Sequence, residues 1–103
     1  MSNLQKFYID GDWVVPQSTN TFPIMNPANE EQIGVLAMGG KNDVDTAVLA
    51  AKNAFTNFSI TSKDERLDLL KRLHQITTYR FEELAQAIST EMGAPITMAR
   101  NAQ

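Results

Sequence analysis

The feature that most constrains this chain is a change of hydrophobic period at Gly39-Gly40. Before it, β-branched and aromatic residues come in short runs separated by turn residues, the pattern of strands. After it, apolar residues recur every three or four positions, the pattern of amphipathic helices. The chain is therefore predicted to be α/β, with a hairpin region over residues 1–40 and a helical region over 41–103. Its 103 residues leave room for one small domain and none for a second.

Phe7-Tyr8-Ile9 and Trp13-Val14-Val15 flank Asp10-Gly11-Asp12, and Asp10-Gly11 suits the two positive-φ positions of a type I′ turn. That register sets Tyr8 opposite Trp13, a cross-strand aromatic pair worth ~0.2–1 kcal/mol. Pro16 ends the strand. Phe22-Pro23-Ile24-Met25 and Gln32-Ile33-Gly34-Val35-Leu36 are predicted to form a second hairpin around Asn26-Pro27-Ala28-Asn29. Pro23 lacks a backbone donor, which assigns its strand to an edge.

In the helical region, Val44, Ala47, Val48, Ala51, Ala54, Phe55 and Phe58 predict a helix over about 42–57, with Asn42 or Asp43 as N-cap. Ser62-Lys63-Asp64-Glu65 matches a capping box. The helical spacing then continues without interruption to Ile88, but the weak helix-forming stretch Thr77-Thr78-Tyr79 predicts two helices, about 63–78 and 81–92. Gly93 supplies a left-handed C′ residue, and Pro95 opens a fourth helix that reaches Gln103 without a stop signal, so it is expected to be cut short.

Charge and composition narrow the function. Nine Lys plus Arg against twelve Asp plus Glu give a formal charge of -3, with no basic stripe for nucleic acid. Lys6, Asp10 and Asp12 interrupt any signal-like apolar run, and no stretch approaches the roughly 20 apolar residues that span a bilayer. The sequence has no cysteine, which removes a thiolate nucleophile, a disulfide framework and the common zinc sites. A cytoplasmic setting is the expectation.

The chemistry-bearing residues do not assemble into a catalytic set. Gly34, Gly39 and Gly40-Lys41 superficially suggest a phosphate loop, but Val35 stands where its first glycine belongs and Asn42 replaces its hydroxyl residue. They read as a strand-to-helix turn. His74, the one histidine, has only Asp64 or Asp68 within helical reach and no nucleophile. Asp43/Asp45 and Glu82-Glu83 sit in first helical turns, where they complement the macrodipole, and Glu30-Glu31 lies in a turn. No catalytic, cofactor-binding or metal-binding residue is therefore expected. Phe7, Tyr8 and Trp13 form the best candidate contact surface, with packing inside the chain the simpler expectation and a partner surface the alternative.

Taken in order, Tyr8-Ile9-Asp10-Gly11-Asp12-Trp13-Val14, Thr21-Phe22-Pro23-Ile24-Met25-Asn26-Pro27-Ala28 and Asp43-Val44-Asp45-Thr46-Ala47-Val48 resemble the amino-terminal region of aldehyde dehydrogenases. Glu65-Arg66, Glu83-Leu84-Ala85 and Glu91-Met92-Gly93-Ala94-Pro95 extend the resemblance. Glu30 departs from it, standing where many members have glycine, and so does Ala94, where lysine is frequent. The resemblance implies the amino-terminal part of the aldehyde dehydrogenase fold: two β-hairpins, three amphipathic helices and a truncated fourth, all within an incomplete cofactor-binding domain.

It also implies a parent enzyme, several times longer, that oxidises an aldehyde to a carboxylic acid with NAD or NADP. A cysteine thiolate attacks, and a glutamate activates the deacylating water. Those residues and the dinucleotide-binding glycines lie downstream of Gln103, so this segment is expected to be inactive scaffold. Its implied partners are the remainder of its own enzyme and neighbouring subunits of a homo-oligomer, with no nucleic acid and no membrane. In some members backbone carbonyls before the Asn-Pro step bind a monovalent cation, which points to Met25. The rival reading is a stand-alone interaction or oligomerisation module without enzymatic activity.

Overall fold

The computed structural model describes residues 3–101. In chain order the elements are β1 (Phe7–Ile9), β2 (Asp12–Val14), β3 (Thr21–Asn26), β4 (Glu31–Ala37), α1 (Lys41–Phe58), α2 (Lys63–Tyr79), α3 (Phe81–Met92) and α4 (Ile96–Asn101). The strands make two two-stranded sheets, β1-β2 and β3-β4. By compactness the chain divides into two units. One runs up to Ile24 and resumes over Gln32–Ile60; the other comprises Met25–Glu31 and the described residues from Thr61 onward. The change from strand to helix near residue 40 is thus a boundary of secondary structure, since α1 is grouped with strands and the β3-β4 turn with helices.

The first hairpin forms as the Asp-Gly step dictates. Asp10 and Gly11 take φ of 54° and 85°, and the register pairs Phe7 with Val14, Tyr8 with Trp13 and Ile9 with Asp12. Tyr8 and Trp13 meet edge to face, with ring centroids 5.3 Å apart and planes at 64°. β2 begins at Asp12 and stops at Val14, one residue short of the predicted Val15. Continuing the ladder would bring Lys6 opposite Val15, but the Lys6 N–H donates to the Asn3 carbonyl at 3.0 Å. In the second hairpin Asn26 accepts twice: its side chain from the Ala28 N–H at 2.9 Å and its carbonyl from the Glu30 N–H at 2.8 Å. Glu30 closes that turn with φ of 59°, a left-handed conformation that glycine adopts without strain.

α1 begins earlier than the sequence suggests. Its N-cap is Gly40, neither Asn42 nor Asp43, and Asp43 is its third residue. The Asp43 carboxylate reaches back to accept the Gly40 N–H at 2.9 Å, which supplies the reciprocal half of a capping box without a serine. α2 starts with the complete box: Ser62 Oγ accepts from the Glu65 N–H at 3.1 Å and the Glu65 carboxylate from the Ser62 N–H at 2.6 Å. α2 nevertheless runs through Tyr79, with the Thr77 and Thr78 hydroxyls accommodated inside the helix by donating to the Leu73 and His74 carbonyls at 2.8 and 2.9 Å. The break between α2 and α3 falls at Arg80, with φ of -96° and ψ of 15°.

α3 ends as predicted at Gly93, left-handed with φ of 75°, whose N–H donates to the Ser89 carbonyl at 3.0 Å. α4 follows over Ile96–Asn101; the last two positions of the expected helix lie outside the described residues. α3 and α4 pack together, and each carries one small buried side chain, Ala85 at 0% and Ala99 at 1% exposure. The Arg100 guanidinium also grips both oxygens of Glu82, at 2.9 and 2.7 Å. That grip, with a hydrogen bond from Gln86, holds the Glu82 carboxyl down to about 2. A depressed carboxylate stabilises fully above its unfolded value and loses that contribution as pH falls through about 2.

Two backbone positions generate opposite expectations. A Cβ on Gly93 would lie 2.9 Å from Pro27 Cγ and carry the left-handed penalty of about 1–2 kcal/mol, so Gly93→Ala lowers the urea midpoint by at least that equivalent. Glu30→Gly removes the same penalty at the cost of a more flexible unfolded chain, for a net gain of up to about 1 kcal/mol. Urea unfolding followed by circular dichroism measures both, and an unchanged Gly93→Ala midpoint would contradict the left-handed cap.

Candidate functional site

Asp43 is the most elaborated polar residue of the chain. Exposed to only 7%, its carboxylate collects three backbone donors: Gln17 N–H at 2.7 Å, Ser18 N–H at 3.3 Å and Gly40 N–H at 2.9 Å. The N-terminus of α1, which could have received an anion from solution, is filled by the chain's own carboxylate. The hydrogen bonds from Gly40 and Gln17 lower the Asp43 pKa, burial opposes them, and the bond from Ser18 lowers it further. The arrangement fastens the loop after β2 to the first turn of α1. It offers neither a nucleophile nor a proton acceptor near neutral pH.

The glycines before α1 are closed in the same way. A Cβ on Gly39 would meet the Phe7 ring at 3.3 Å and one on Gly40 would meet Ser18 Cβ at 3.4 Å. The turn is packed by its own neighbours and does not present the open row of N–H groups that cradles a phosphate. It is the strand-to-helix turn that the sequence suggests.

The remaining candidates stay apart. His74 is exposed on α2 beside Leu67, Leu70, Lys71 and Gln75, and its carbonyl, accepting from Thr78, makes a helical contact only. Glu83 pairs with Arg80 at 2.7 Å while Glu82 pairs with Arg100, so these adjacent carboxylates serve different helix junctions. Asp45 makes an exposed pair with Lys41. Glu31 accepts from the Asn29 side chain within its own turn. Met25 is the penultimate residue of β3. Among the described residues no three His, Cys, Asp or Glu come together as a metal cage, and no helix is long and apolar enough to cross a membrane.

The aromatic cluster corrects an expectation. Phe7 lies against the Gly39 turn, but Tyr8 and Trp13 are 64% and 51% exposed, so the pair does not pack into the interior of this chain. The two-residue turn fixes the alternation that puts Phe7 on one face and Tyr8 on the other. Tyr8 instead borders a shallow groove with Ala47, Ala50, Ala51 and Ala54 of α1.

The family model described as the aldehyde dehydrogenase family matches residues 13–103. The chain belongs to the aldehyde dehydrogenase family. A 3-succinoylsemialdehyde-pyridine dehydrogenase from a Pseudomonas species is 43% identical over 96 residues, which is 93% of this chain and 20% of that protein. Among solved structures, aldehyde dehydrogenase C of Pseudomonas syringae, a cysteine-to-alanine variant complexed with NAD+ and octanal, is 48% identical with a TM-score of 0.93. The match covers 96% of this chain and 20% of that one. An aldehyde dehydrogenase from Bartonella henselae is 41% identical, also with a TM-score of 0.93, over 95% of this chain and 21% of its own. The chain spans about a fifth of the length of the relatives it matches. Its two hairpins and four helices are the amino-terminal part of the aldehyde dehydrogenase fold.

The role of Asp43 as a loop staple had no local signal, because its partners Gln17 and Ser18 are 26 and 25 residues away. Its depressed pKa makes its contribution to stability fully present above about 4, the unfolded carboxylate value, and lost as pH falls through the lower folded value. Asp43→Asn keeps the shape but turns an amide donor toward backbone donors. Its thermal midpoint is expected to fall well below that of the parent at neutral pH, and the gap to narrow below about pH 4. Asp45→Asn, altering an exposed pair, is expected to leave the midpoint nearly unchanged. A constant gap between Asp43→Asn and the parent across this range would contradict the charged staple.

Proposed function

We propose that this chain is amino-terminal scaffold of an oxidoreductase that converts aldehydes to carboxylic acids with NAD or NADP. The observation that carries the reading is the pairing of near-complete coverage of this chain with a fifth of the relatives' length. Within that fifth, cysteine is missing from the sequence, and the depressed carboxylates of Asp43, Glu65, Glu82 and Glu83 are all engaged in structural hydrogen bonds. The coenzyme supplies the hydride acceptor when bound to such an enzyme. The packed turn at Gly39-Gly40 does not fit its pyrophosphate, so no part of hydride transfer is assigned to these residues.

In this reading the segment positions other parts of the enzyme and meets neighbouring subunits of a cytoplasmic homo-oligomer. Tyr8 and Trp13 suit such a contact, being aromatic, rigidly paired and exposed. The Met25 carbonyl is the proposed cation ligand of this segment. The same exposed aromatic pair favours the second reading, a non-enzymatic interaction module, and the two differ in a measurable way. Mixed with an aldehyde and NAD or NADP, the 103-residue chain alone is expected to form no reduced coenzyme. Substituted for the matching segment of the Pseudomonas syringae relative, it is expected to give a soluble enzyme with coenzyme-dependent aldehyde oxidation. A soluble chimera with no activity would favour the module, and turnover by the chain alone would overturn the scaffold assignment.

A further inference from the structure

We draw no further inference here: the strongest candidate, the shallow groove between the turn of the first hairpin and the alanine face of α1, where Tyr8 and Asp10 border Ala47, Ala50, Ala51 and Ala54, carries nothing because nothing in the structure shows what covers it.

Discussion

Burial limits everything this chain can do. Its buried apolar residues among those described are Ala37, Ala85 and Ala99, and none of its large side chains is fully buried. Burial of a leucine or phenylalanine contributes about 1.5–3 kcal/mol, whereas alanine brings little more than a methyl group. An interior of alanines permits close approach of backbones, as where α3 meets α4, but it does not provide the driving force that holds an ordinary domain together. The apolar residues that could provide it on α1 and α2, with Tyr8 and Trp13 of the first hairpin, are exposed.

Local shape is set instead by polar devices that act on the backbone. The Asp43 carboxylate ties a loop to a helix start through three N–H groups, Ser62 and Glu65 satisfy each other's donors, and Arg100 spans α3 and α4 through Glu82. Each makes direction and register definite without a large core. This is what a scaffold segment needs when its cover is supplied by the remainder of a larger fold, and it accounts for the coexistence of well-formed helices with bare leucine faces.

The legible parts were those fixed by neighbours in sequence. Asp10-Gly11 dictated the hairpin register, Ser62 to Glu65 the start of α2, and Gly93 with Pro95 the stop between α3 and α4. What escaped depended on distant partners or on burial. Gly40 became the N-cap because Asp43 could reach back to it, and Asp43 became a staple because Gln17 and Ser18 came within its reach. Tyr8 and Trp13 are aromatic enough to look like core, and only the packing of Phe7 shows which face of the hairpin turns inward. The expectation of no catalytic set rests on composition and spacing, since the sequence has no cysteine and one histidine without a nucleophile beside it. The family resemblance was carried by the order of several weak motifs, none of which is specific by itself.

Amide hydrogen exchange of the isolated 103-residue chain measures most directly whether it is scaffold awaiting its cover. Local polar ties without a core predict a graded pattern, with the Gln17 and Gly40 amides bound by Asp43 among the better protected and the middle of α2, around Leu70 and Leu73, exchanging almost as fast as an uncovered helix. Uniformly slow exchange across α2, matching global unfolding of several kcal/mol, would show that the chain stabilises itself as an independent domain and would contradict the account.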